Sequence, residues 1–124
     1  MMEFLTDDAF MVLANPGVAS TQLLSPHNSN SRRVTLTRVV VQPGHEQPRH
    51  SHPESEQIWI AVSGAGTLLL GDDKTLEFEA GQVVRFEDGD IHGFLNANDD
   101  PFIYISVTSP PIDFNYAYTT KNER

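Results

Sequence analysis

The sequence predicts an all-β sandwich or barrel, on three observations. Short runs rich in β-branched and aromatic residues recur between residues 34 and 107. Each run closes on a cluster of turn residues. No long helical period separates them. Closely spaced strands with nothing helical between them are the pattern of a sandwich or barrel, not of a parallel sheet with crossover helices.

The elements follow in order. "FLTDDAFMVL" (4–13) fits either a short helix capped at Thr6 or Asp7 or an irregular strand, and "SPHNSNSRR" (25–33) reads as a polar loop. "VTLTRVVV" (34–41) is a strand stopped by Pro43-Gly44, and "QIWIAVS" (57–63) a strand stopped by "GAG". "TLLL" (67–70) ends at "GDDK", and "LEFE" (76–79) ends at Ala80-Gly81. "QVVRF" (82–86) ends at "EDGD", "HGFL" (92–95) at "NANDDP", and "FIYISV" (102–107) at "SPP". In "LEFE" the alternation places Leu76 and Phe78 inward and Glu77 and Glu79 outward. "QIWIAVS" is apolar on both faces, as expected of a strand inside a sandwich or under a subunit interface. "TKNER" (120–124) reads as a frayed polar tail.

Composition narrows the function classes. The 124 residues suffice for one domain with a modest core, so residues 1–124 are expected to form a single domain around a barrel over about 34–108. The absence of cysteine excludes disulfides, a thiolate nucleophile and any cysteine-based metal site. The formal net charge of −9 disfavours a phosphate backbone, so nucleic acid is not an expected partner. No run of eighteen apolar residues occurs, so no membrane span is expected. The opening "MMEFLTDDAF" lacks the basic region and apolar run of a secretory signal, and a cytoplasmic location is expected.

The histidines carry the chemistry. His50 and His52 stand two apart in "HSHPESEQ", and residues two apart on a strand share a face. His92 follows a turn at Asp88-Gly89. Three imidazoles on β-structure suit a divalent transition metal held at about 2.0–2.2 Å. His27 and His45 fall in loops, the latter near enough to the pair to gate it.

Two stretches resemble the motifs of the cupins. "GHEQPRHSHPESEQIWIAVSG" (44–64) is similar to the first, which runs glycine, five residues, His-x-His, three or four residues, glutamate, six residues, glycine. "GQVVRFEDGDIHGFLN" (81–96) is similar to the second, with Gly81, Gly89, His92 and Asn96 in place and Glu87 where the family has proline. The resemblance implies a double-stranded β-helix, a small jelly-roll barrel with its site inside. It also implies a homodimer made by sheet packing, to which the two-faced "QIWIAVS" and the apolar "PPIDFNYAY" (110–118) would contribute.

The family's fourth metal ligand is a glutamate, and here the sequence departs. Keeping the interval to Gly64 puts that position on Gln57; keeping the shorter interval from His52 puts it on Glu56. Gln57 shares strand parity with Trp59 and Ala61, Glu56 with Ile58 and Ile60. The reading adopted is His50, His52, Gln57 and His92, as in cupins similar to those of pectin degradation; Glu54 reads as a surface acid. Three neutral imidazoles and a carboxamide leave a divalent ion near its full charge, where a carboxylate would offset part of it. That favours polarising an oxygen-rich ligand over stabilising a higher oxidation state. Zinc, nickel, iron, manganese and copper all suit such ligands, one ion per chain.

Further candidates are the lone Trp59, a flat wall for a ring or a core residue, and Arg38, a carboxylate partner or an edge residue. Tyr104 is a hydroxyl for proton transfer or barrel filling, and Phe94 is expected beside His92. The favoured activity is isomerisation or ring opening of a small oxygenated metabolite such as a sugar acid. The alternatives are a non-catalytic small-ligand binder or sensor and an iron dioxygenase. "HSHPES" lacks the aspartate and histidine of a His-x-His-x-Asp-His hydrolase.

Overall fold

Inward alternation and the turns that interrupt it build a double-stranded β-helix in the computed structural model, which describes residues 1–123, the last four as backbone only. The strands are β1 (Met11–Asn15), β2 (Val18–Leu24), β3 (Thr35–Val41), β4 (Glu46–His50), β5 (Glu56–Ser63) and β6 (Ala65–Leu70). They continue with β7 (Thr75–Glu79), β8 (Val83–Phe86), β9 (His92–Leu95), β10 (Phe102–Ser109) and β11 (Thr120–Glu123). The helical turns, at Asp7–Ala9, Gly71–Asp73 and Phe114–Ala117, are all 3-10. No helix among the described residues is long and apolar enough to cross a membrane.

Two antiparallel sheets face each other. One has seven strands in the order β11-β1-β2-β3-β10-β5-β8, the other four in the order β4-β9-β6-β7. Between them lies a core of Val18, Val39, Val41, Trp59, Ala61, Leu68, Phe78, Phe86, Phe94, Phe102 and Tyr104. Phe94 stacks on Phe102 at 4.0 Å and Trp59 on Tyr104 at 4.1 Å. Burying one such ring contributes roughly 1.5–3 kcal/mol.

Four sequence expectations change. Residues 4–13 are neither one helix nor one strand but a 3-10 turn followed by β1. The segment expected as a frayed tail forms β11 and pairs with β1 from Met11↔Glu123 to Ala14↔Thr120, because β1 would otherwise be an open edge. Leu76 is 57% exposed although Phe78 on the same face is buried, since β7 is a sheet edge and the barrel closes over its Phe78 end. β5 is buried on one face only: Ile60 and Val62 are exposed on the other.

Two glycines set the site. Gly89 has φ +83 and its N–H donates to the His52 carbonyl at 2.9 Å, which ties the turn before His92 to the His-x-His segment. A Cβ on Gly93 would stand 2.6 Å from the Gln47 carbonyl oxygen, so only glycine lets β9 approach β4 this closely. That approach puts His50 opposite His92 in the ladder.

Candidate metal centre and cavity

His50 ends β4, His52 follows it, and His92 opens β9. Their rings stand 4.4 to 5.3 Å apart between centroids, and one nitrogen from each lies within 4.8 Å of the others. The backbone fixes how two of the rings point. His50 Nδ1 donates to the Pro48 carbonyl at 2.8 Å and His92 Nδ1 to the Asp90 carbonyl at 2.9 Å. A ring nitrogen that donates to a carbonyl carries the proton, which leaves Nε2 with a bare lone pair. His52 Nε2 and His92 Nε2 are buried without a hydrogen-bond partner among the described residues. Buried polar atoms are normally paired, so two bare nitrogens converging on one point fit a cation.

Electrostatics keep the His52 and His92 rings neutral. Burial, reinforced by the charge His50 would carry, lowers the His52 pKa to about 4. The same two causes lower that of His92 to about 3. At neutral pH both nitrogens are free to accept a metal.

Gln57, on β5, is 5% exposed and faces the same interior. Its Oε1 accepts from Trp59 Nε1 at 3.1 Å and its Nε2 donates to Thr108 Oγ1 at 2.9 Å. Glu56 points the other way: Arg85 Nε donates to its Oε2 at 2.7 Å on the outer surface. Glu54 is exposed, and neither acid joins the histidine cluster.

A cavity of about 510 Å³ opens beside the histidines, a size suited to a small metabolite. His50, His52, Gln57, Trp59 and Tyr104 line it, with Phe114, Tyr116 and Tyr118 of the C-terminal strap over its mouth. The strap is held by Ser55 Oγ donating to the Pro110 carbonyl at 2.9 Å and by Asn15 Nδ2 donating to the Ala117 carbonyl at 2.9 Å.

The remaining candidates scatter. Arg38 is exposed on the outer face, beside Thr21 and Ile105, so it is a surface residue and not a carboxylate partner in the cavity, although β3 is an interior strand and not an edge. Trp59 is 1% exposed and lines the cavity while packed on Tyr104. Tyr104 donates its hydroxyl to Gln47 Oε1 at 2.6 Å, and burial holds its pKa well above 10. It is a fixed donor and not a base. Phe94 packs on Phe102; the ring stacked on His92 is Phe86, at 4.5 Å. His45 lies against Gly17, and His27 bonds Asp113 of the strap at 3.2 Å. Sequence reasoning passed over Gln47, Tyr118 and Glu46, which all line the cavity. Gln47 and Glu46 sit on β4, whose "EQPRH" has no apolar period to mark a strand.

Comparison with known proteins places this geometry. The family described as Cupin domain matches residues 37–108. Among curated proteins, the glucose-6-phosphate isomerase of Pyrococcus abyssi is 30% identical over 79 residues, which are 60% of this chain and 41% of that protein. The chain thus spans about two fifths of the length of the curated relatives it matches. Among solved structures, a Cupin 2 conserved barrel domain protein from Salinispora arenicola is 29% identical, with a TM-score of 0.68 over 87% of each chain. KdgF from Halomonas sp. has a TM-score of 0.69 at 20% identity, covering 80% of this chain and 84% of that one, a likeness of fold.

Proposed function

This chain belongs to the cupin domain family, and on that premise we propose that it is a metal-dependent enzyme that isomerises or opens a small oxygenated metabolite, such as a sugar acid. The observation that carries the reading is the convergence of three imidazoles, two with buried unpartnered Nε2 atoms, beside a cavity that Gln57 also lines. In this reading His50, His52, Gln57 and His92 hold one divalent ion. Such an ion, when bound, supplies Lewis acidity to a substrate oxygen and acidifies a bound water. The chain's own contribution is positional. Pro48 and Asp90 orient the His50 and His92 imidazoles, and Thr108 and Trp59 hold the carboxamide. The isomerase relative supports the reaction class.

Elemental analysis of untagged protein beside a His92→Ala variant tests this. Near-stoichiometric metal in the parent and none in the variant is expected. Metal absent from both after incubation with excess divalent ions would sink the reading.

One observation favours a second reading, a non-catalytic binder. Arg38 lies outside the cavity and Tyr104 spends its hydroxyl on Gln47, so neither sequence candidate is free to move a proton. A ligand that binds tightly without turnover would decide for it.

A homodimer belongs to the same proposal. Ile60, Val62 and Val83 are 40%, 53% and 62% exposed on the outer face of adjacent strands β5 and β8, next to Ile58, Ile103 and Ile105. A two-fold partner packed there removes that apolar area from water. Light scattering at micromolar concentration should give twice the chain mass, and Val62→Lys should halve it.

A further inference from the structure

The cavity has a second pole. Across the inner face of the large sheet, Gln22 of β2 pairs with Thr37 of β3, Thr37 with Ser106 of β10, and Ser106 with Trp59 of β5. A row of two hydroxyls and a carboxamide thus crosses three neighbouring strands where a barrel of this size ordinarily packs aliphatic side chains. All are buried: Gln22 is 1% exposed, and Thr37 and Ser106 are 4% exposed. Gln22 is spoken for, since its Nε2 donates to Ser20 Oγ at 2.9 Å. Ser106 is not. Its Oγ has no hydrogen-bond partner among the described residues, and the side chain lines the cavity. Thr37 lines it beside Ser106.

An unpaired buried hydroxyl is a cost to the fold, and one on a cavity-lining side chain is relieved when a turn about χ1 brings it to whatever fills the cavity. The row stands two residues along the strands from the Gln57–Thr108 pair, roughly 7 Å at strand rise, which is the span of a six-membered ring with its substituents. Among the described residues no lysine or arginine lines the cavity. The row therefore offers hydrogen bonds and no charge.

We infer that Ser106 and Thr37 form the far subsite of the ligand, taking an uncharged hydroxyl or carbonyl oxygen of a molecule whose chelating end lies at the histidines. This rests on the metal-binding reading above and adds the direction and polarity of the bound molecule. It assigns the cavity to compounds that carry their anionic or chelating oxygens at one end and neutral oxygen at the other. Sugar acids have that arrangement. A phosphate ester lodged at the far end would face no cation.

Two matched hydroxypyranones test it by calorimetry on zinc-loaded protein. Kojic acid carries a hydroxymethyl group opposite its chelating hydroxyketone, and allomaltol carries a methyl group in the same place. The parent should bind kojic acid about tenfold more tightly than allomaltol, the effect of one good hydrogen bond. Ser106→Ala and Thr37→Val should bring that ratio towards one and leave allomaltol affinity as it was. Equal affinities in the parent, a ratio that survives both substitutions, or zinc-loaded protein that takes neither pyranone would overturn the subsite alone. Failure to bind zinc would overturn the metal reading itself, a distinct result. Ser106→Ala should also leave the Tm of metal-free protein unchanged or higher, because it removes an unpaired buried hydroxyl. A marked fall, or failure to fold, would show that the hydroxyl serves the fold and would equally overturn the inference.

Discussion

The two ends of the barrel are built from the same strands and differ in nearly every inward residue. On β10 the inward side chains run Phe102, Tyr104, Ser106, Thr108; on β3, from the same end, Val41, Val39, Thr37, Thr35. β5 goes from Ala61 to Trp59 and Gln57, β2 from Val18 to Ser20 and Gln22, and β9 from Phe94 to His92. One end is apolar and packed around Phe94 and Phe102; the other is polar, with bare lone pairs beside a cavity. The full end supplies the stability that lets the other end keep unsatisfied groups, a division expected where function sets local chemistry against packing.

Substitutions at the two ends should therefore behave differently. The largest effect belongs to the full end: Phe94→Ala should cost about 3–5 kcal/mol in urea unfolding, since it empties the place of a ring that is 0% exposed. The open end should instead be sensitive to pH. His52 and His92 hold pKa values of about 4 and about 3 when folded, against an ordinary 6.5. The unfolded chain takes up their protons first as pH falls. Their contribution is thus complete above pH 6.5 and declines below it. Metal-free protein should lose on the order of a few kcal/mol between about pH 6.5 and pH 4. A stability curve flat over that window would place these rings in water and remove the contrast. Next in size, zinc at a hundred times its Kd should raise the parent's stability by about 2.7 kcal/mol in a thermal shift assay, with no rise in His92→Ala. The smallest effect falls on the carboxamide's support: Thr108→Val should cost about 1 kcal/mol by taking the acceptor from Gln57 Nε2.

The contrast also explains what could be read in advance. Apart from β4, the strands between residues 34 and 107 were legible because glycine-rich and acidic turns bound them and apolar residues recur along them. Parity set Gln57 apart from Glu56, and the two side chains do lie on opposite faces of β5. Two of the strands that escaped, β2 and β4, lack an apolar inward face. β2, "VASTQLL", turns Ser20 and Gln22 inward, so hydropathy gives no period. β4 contains Pro48 and is held by β9 across Gly93, a tertiary cause invisible in local pattern. Arg38 stayed open between two readings because the run "VVV" after it hides the alternation; Thr35 and Thr37 are the inward residues, which leaves Arg38 outside. The far pole of the cavity was illegible for a related reason, since single serines and threonines in strands look like ordinary surface polarity until register sets them side by side.

The bond between the Trp59 indole N–H and Gln57 Oε1 makes the protein its own optical gauge. Trp59 is the only tryptophan, so every photon of indole emission comes from a ring whose donor rests on the carboxamide proposed to meet the cation. Charge arriving at that oxygen alters the field along the indole dipole, and emission maximum and intensity move with it. Loading, exchange and competition among metals become readable in a cuvette without label or dye, on a signal that no second tryptophan dilutes.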